Sequence, residues 1–162
     1  MVEQETLTLE HTIKAQDLYA RHAQIISDGE LEQWPELYTE ECLYRIISRV
    51  NHERNLPLSL IFAESRGALK DRVSAIRNTM VYAPRYVTHL VSQVQITGER
   101  DGLLHTRSHF AVYYTQADGN ARLQMVGRSF DQIDARCANW LFAHRSVVFD
   151  NELVPGSIVY PI

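Results

Sequence analysis

The sequence predicts an α+β domain: N-terminal helices packed on one side of a curved, mostly antiparallel sheet shaped as a cone or half-barrel. Two regions, 8–40 and 64–77, carry apolar residues at helical spacing. After Pro84 the period falls to two and stays there to Phe149. Between the period-two runs stand short turn-forming clusters rather than crossover helices, so consecutive strands pair antiparallel.

From Thr8 to Ser27, Leu9, Ile13, Tyr19, Ala20, Ala23 and Ile26 recur three to four apart, with Glu10, Lys14, Asp17 and Arg21 between them. This stretch predicts an amphipathic helix that Asp28-Gly29 ends, with Asp28 placed to cap a second short helical segment. Trp34-Pro35-Glu36-Leu37-Tyr38 supplies that segment, because proline suits a first helical turn. The first forty residues are thus expected to be helical. Leu43–Ser48 reads as a strand, the polar run from Arg49 to Asn55 as a loop, and Leu58–Phe62 as another short strand. Within Glu64–Arg77, Leu69, Val73 and Ile76 form one stripe of a third helix.

Four long strands are expected next: Tyr86–Thr97, Leu103–Thr115, Ala121–Asp134 and Trp140–Phe149. Gly98 to Gly102, Asp118-Gly119-Asn120 and Asp134-Ala135-Arg136 connect them as an antiparallel meander. Gln93, Gln95, Arg107 and Gln124 are assigned to a wet outer face. The 162 residues are expected to form one domain, 1–162, with 150–162 an extended C-terminal tail. Ile158, Val159, Tyr160 and Ile162 are too apolar for a free tail, so it is expected to be pinned to its own domain or to a neighbour.

At 45 % hydrophobic and 22 % charged residues, the chain can bury a core of its own. A net charge of −4 offers no positive field for nucleic acid. No apolar run approaches the roughly 20 residues of a membrane span, and Met-Val-Glu-Gln-Glu lacks the basic start of a signal peptide, so a cytoplasmic protein is expected. Cys42 and Cys137 read as separate thiols.

Among seven histidines, only His105 and His109 are close in sequence. On a strand they would stand roughly 13 Å apart, too far to share a metal ion. No nucleophile elbow, phosphate loop or dinucleotide fingerprint is present. A pocket enzyme would have to draw on His89, His144, Asp131 and Asp134 for acid–base work; histidines bonded at a surface or interface are the plainer reading. Trp34, Leu37, Tyr38, Leu43 and Tyr44 concentrate large side chains that read first as core and second as interface anchors. Arg66, Lys70, Asp71, Arg72 and Arg77 make the third helix a charged ladder, whose arginine forks would also suit carboxylates at an interface.

Asp28 with Trp34-Pro35, Leu37-Tyr38, Glu41-Cys42 and Tyr44, then Leu56-Pro57-Leu58, Glu64-Ser65-Arg66-Gly67 with Leu69, Asp71-Arg72-Val73, and finally Asp150-Asn151 with Pro155-Gly156-Ser157, resemble the small β subunits of aromatic-ring-hydroxylating, Rieske-type oxygenases. The branch that looks most similar serves benzoate, salicylate, anthranilate and terephthalate. The Trp34-Pro35 region is shared with the wider nuclear-transport-factor-like, or cystatin-like, cone fold. The resemblance implies a non-catalytic structural subunit of a multicomponent oxygenase in aromatic acid degradation. Its α subunit would hold a Rieske 2Fe-2S cluster and a mononuclear iron, usually as three α and three β chains, served by a reductase with or without a ferredoxin. It carries no catalytic, cofactor-binding or metal residue onto this chain. Trp34, Tyr38, Arg66, Arg72, Arg77 and Tyr160 are the interface candidates. The alternative is a stand-alone cone-fold isomerase or dehydratase using a histidine and a carboxylate.

Overall fold

The computed structural model describes residues 9–117 and 119–162. Thr8, Asp118 of the second expected turn, and the opening Met-Val-Glu-Gln-Glu lie outside the described residues. Helix α1 (Leu9–Ser27) is followed by a 3₁₀ helix (Leu31–Leu37), strand β1 (Tyr38–Ser48), short helix α2 (Arg49–Glu53), β2 (Ile61–Ala63) and α3 (Arg66–Asn78). Strands β3 (Arg85–Val91), β4 (Gln95–Arg100), β5 (Leu103–Gln116), β6 (Arg122–Asp134) and β7 (Leu141–Phe149) complete it. The sheet order is β2-β1-β7-β6-β5-β3, with β4 also paired to β5. Among the described residues only β1 and β7 run parallel, and every other strand pair is antiparallel. The helices and the inner sheet face share one core, in which α1 and the 3₁₀ helix bring Leu18, Tyr19, Ile26, Leu31 and Trp34 against Tyr38, Tyr44 and Phe142.

Several local expectations are corrected. The buried stripe of α1 is Ala15, Leu18, Tyr19, His22 and Ile26, whereas Leu9 is 76 % exposed, Ile13 56 % exposed, and Ala20 outward. Helix does not persist to residue 40, because β1 already begins at Tyr38. Glu30, not Asp28, precedes the 3₁₀ helix, and no side chain caps it. The polar run after Ser48 is helical: the Ser48 hydroxyl accepts from the Asn51 N–H and starts α2. The short strand expected at Leu58 begins at Ile61.

The strand expected over Tyr86–Thr97 is two strands. Both lie along the same edge of β5, β3 against Val112 and its neighbours and β4 against Arg107 and its neighbours. Between them Ser92 bonds His109 through both its backbone and its hydroxyl, and Val94 turns into the core. The reversal after β4 narrows to Asp101-Gly102, both at positive φ (55° and 75°), the conformation an Asp-Gly hairpin turn requires. Gln93 and Gln95 are exposed, but Gln124 is buried and donates to the Ser157 carbonyl, because the tail covers it.

Residues 150–162 contain no helix or strand, yet they are held at several points. Arg72 donates to the carbonyls of Ile158 and Val159 at 3.3 and 3.2 Å. The Tyr44 hydroxyl donates to the Ile162 carbonyl and accepts from the Ile162 N–H. The Asn151 side chain bonds the backbone of Gln124 and Val126. Cys42 is buried and Cys137 exposed, both free.

At Gly127 the β6 and β7 backbones meet so closely that an added Cβ would lie 2.0 Å from the Val148 carbonyl oxygen and 2.8 Å from the Phe149 Cα. Neither neighbour is a flexible side-chain tip. Gly127→Ala is therefore expected to lower stability by about 3 kcal/mol, read as a reduced urea midpoint; an unchanged midpoint would show that the two strands can part without loss.

Candidate functional site

Two places on the molecule gather polar chemistry, one inside the sheet and one outside it. The inner one depends on an extra residue in β7. Gln132 pairs with His144 but Ile133 pairs with Phe142, leaving Ala143 as a bulge. That shift puts Phe142 and Arg145 on the same face although they are three apart, and aims Arg145 at Asp131, its partner across the strands.

Both side chains are almost wholly buried, and Arg145 Nη1 donates to Asp131 Oδ2 at 2.8 Å. The same carboxylate accepts from the hydroxyls of Tyr19 and Ser129 and, through Oδ1, from the Ser146 N–H at 3.2 Å. Three of these four donors converge on Oδ2 and one reaches Oδ1, so the carboxylate is held through both oxygens. The Arg145 guanidinium lies between the rings of Tyr19 and Phe142, at 5.1 and 4.9 Å from their centroids. Burial opposes its charge, and Asp131 with Tyr38, Tyr19 and Tyr44 outweighs that, holding it above the ordinary arginine value. Tyr19 is pushed well up by burial and then by Asp131, and Tyr38 by burial, so both stay protonated. Burial pushes Tyr44 up to about 12.

His22 belongs to the same interior. Its Nε2 accepts from Trp34 Nε1 at 3.1 Å, which places the ring proton on Nδ1, and the Tyr38 hydroxyl lies 3.1 Å from the same nitrogen. Burial, followed by Arg145 and His89, holds it neutral well below the ordinary histidine range. Trp34, Tyr38, Tyr44 and Phe142 each have 0 % exposure.

The four acid–base candidates are not assembled. His89 points inward from β3 beside the Pro161 backbone, and burial, then Arg145, lowers it to about 4. His144 lies on the outer face, bonded to the Ser146 hydroxyl at 2.9 Å. Asp131 is engaged by four donors of its own chain, and Asp134 is held low by Arg136 at the end of β6. Among the described residues no hydrogen bond joins either histidine to either aspartate. Of the interface candidates, Trp34 and Tyr38 lie in the chain's own core. The arginines make bonds within the chain: Arg66 to the Tyr38 carbonyl and Glu40, Arg72 to the tail, Arg77 to Glu32 and the Gly29 carbonyl. Tyr160 packs edge-on against Tyr82.

The outer place is a row across six strands: Phe62, Arg45, Ser146, Phe130, Arg107 and Gln95, each in register with the next. A depression of about 360 Å³ opens at its middle, and His144, Gln132 and His105 form the neighbouring row along it. From α2, His52 stacks on Phe130 at 5.1 Å, with the rings 15° apart. His105 and His144 are two strands apart, and among the described residues no three His, Cys, Asp or Glu side chains converge as a metal site. Residue alternation alone assigns His105 and Arg107 to one face. Sequence reasoning missed the Arg45–Phe130–Arg107 grouping because its members come from three strands.

The family described as "Ring hydroxylating beta subunit" matches residues 21–156. The small subunit of anthranilate 1,2-dioxygenase from Burkholderia cepacia is 27 % identical over 147 residues, covering 91 % of this chain and 89 % of that one. A solved chain described as the β subunit of an aromatic-ring-hydroxylating dioxygenase, from Novosphingobium aromaticivorans, superposes with a TM-score of 0.85 at 28 % identity, covering 93 % and 96 % of the two chains. A chain described as a scytalone dehydratase from the same organism shares the fold, with a TM-score of 0.68 at 16 % identity over 88 % and 86 %.

His89 gives the interior a measurable pH signature. It stays neutral in the fold down to about 4 but takes up a proton near 6.5 when unfolded. The unfolded chain therefore binds more protons across that window, and stability falls as pH drops through it. Between pH 7.5 and 5 His89 is expected to contribute a loss of about 2 kcal/mol. Urea melts of His89→Gln should show a correspondingly shallower acid slope; an identical slope would contradict a buried neutral His89.

Proposed function

The chain belongs to the family of ring-hydroxylating β subunits, and from that premise we propose that it is a non-catalytic structural subunit of a multicomponent Rieske-type oxygenase acting on an aromatic acid. The observation that supports this most is the closed Asp131 centre. In a cone-fold pocket enzyme the interior carboxylate must meet substrate. Here it has four protein donors and no exposure. The relative named for anthranilate acts on an aromatic carboxylate, which supports the substrate class.

The residues described do not fit a resident iron centre. Cys42 is buried and Cys137 exposed, and no group of ligands converges. In this reading the Rieske cluster and the mononuclear iron belong to the companion α subunit, in a complex of three α and three β chains supplied by a reductase, with or without a ferredoxin. The full chain acts as one domain, with 150–162 as a strap held by Arg72 and Tyr44. No helix among the described residues is long and apolar enough to cross a membrane, and a cytoplasmic complex is the setting proposed.

Metal analysis tests the division of labour. The purified chain is expected to contain no stoichiometric iron and no visible iron–sulfur absorption, and to restore turnover when mixed with the α subunit. Equimolar iron bound to the isolated chain, lost on changing His105 or His144, would contradict it.

A further inference from the structure

The six-strand outer row contains two guanidinium groups drawn toward one place. Arg45 donates through Nε to the Ser146 hydroxyl at 2.8 Å, and the Arg107 guanidinium lies 5.7 Å from the centroid of the Phe130 ring. Ser146 and Phe130 are cross-strand partners, so both cations lean over the middle of the depression. Arg107 Nε is enclosed and has no protein acceptor. Among the described residues neither guanidinium has a carboxylate within 4 Å, unlike the arginines that close ion pairs elsewhere in the chain. An enclosed guanidinium donor without an acceptor is costly, and a carboxylate is the group whose geometry best fits two forks.

We propose that this depression receives a carboxylate side chain of the companion large subunit, gripped by Arg45 and Arg107 over the rigid floor of Phe130 and His52. The inference rests on the subunit reading above. Charge complementarity sets the chemistry, and the shape selects a protein over a free acid. Small-molecule sites enclose most of their ligand, whereas this one is an open stretch of a row about 24 Å long at ordinary strand spacing. The row ends in Phe62, 53 % exposed at the sheet edge, with Leu58 and Leu60 exposed beside it. Arginine and aromatic side chains next to exposed apolar ones have the make-up of a protein–protein contact.

The test is the affinity of the full chain for the large subunit, measured by sedimentation at several salt concentrations. Arg45→Gln/Arg107→Gln is expected to weaken association about 30-fold and to flatten its salt dependence, with the melting temperature of the isolated chain unchanged. Arg45→Lys/Arg107→Lys keeps both charges but loses both forks, so its affinity should fall between wild type and the Gln pair; equal loss in the Lys and Gln pairs would overturn the proposal. So would wild-type affinity in the Gln pair, which leaves the subunit reading intact. Failure of the wild-type chain to assemble would overturn both. Two further arms identify other occupants. Saturable shifts of the His105 and His144 ring protons by benzoate, with assembly of the Gln pair unchanged, would replace the partner carboxylate with a free acid. A change confined to self-association of the isolated chain would replace it with a second copy.

Discussion

The buried ion pair of Asp131 and Arg145 is the constraint on which the rest of the structure depends. Two charges out of water need mutual contact and further hydrogen bonds, and leaving one unpaired costs about 3–5 kcal/mol. The chain meets that need with Tyr19 from α1, Ser129 from β6, and the Ser146 N–H from β7. One carboxylate therefore fixes how the helix sits on the sheet. It also requires the bulge at Ala143, since without the extra residue Arg145 would face outward. His22 extends the same logic, tying α1 to the 3₁₀ helix through Trp34 and to β1 through Tyr38.

A carboxylate beside a tyrosine, with a histidine nearby, has the composition of an active site, and accessibility separates the two cases. A general base needs a free lone pair within reach of substrate. Asp131 accepts four bonds from its own chain and its side chain has no exposure, which is what the structural reading proposed above requires of it. The tail adds to the closure: Val159 and Ile162 are buried in the core, and Tyr44 bonds both polar backbone atoms of Ile162. The arginines of α3 share this structural character, since Arg66, Arg72 and Arg77 tie β1, the tail and the turn after α1 to one helix. On the outer face of the sheet, Arg45 and Arg107 have no carboxylate within 4 Å among the described residues.

Much of this was legible in the sequence because local chemistry determined it. The stripe of Leu69, Val73 and Ile76 defines α3, Asp101-Gly102 makes its hairpin turn, and the period-two run yields β5, β6 and β7. Three features were hidden. His22 is a polar residue on an apolar stripe, although its spacing from Tyr19 and Ile26 (three and four) already placed it inward. The break at Ser92 arises from bonds to His109 on another strand, which no local pattern records. The bulge at Ala143 inverts the face of Arg145, and alternation read without it sends the residue to solvent. The outer row was invisible for a related reason: register across strands, not spacing along them, brings Arg45 to Phe130 and Arg107.

If the Asp131–Arg145 centre is scaffold alone, apolar side chains of similar size should replace it without chemical loss, as buried ion pairs often allow. The most direct measurement is turnover per α-subunit iron in the assembled complex carrying Asp131→Leu/Arg145→Met, with assembly verified by sedimentation. Wild-type turnover in the intact complex is the expected result. An intact complex that has lost nearly all turnover would contradict it and would return chemistry to the interior of this chain.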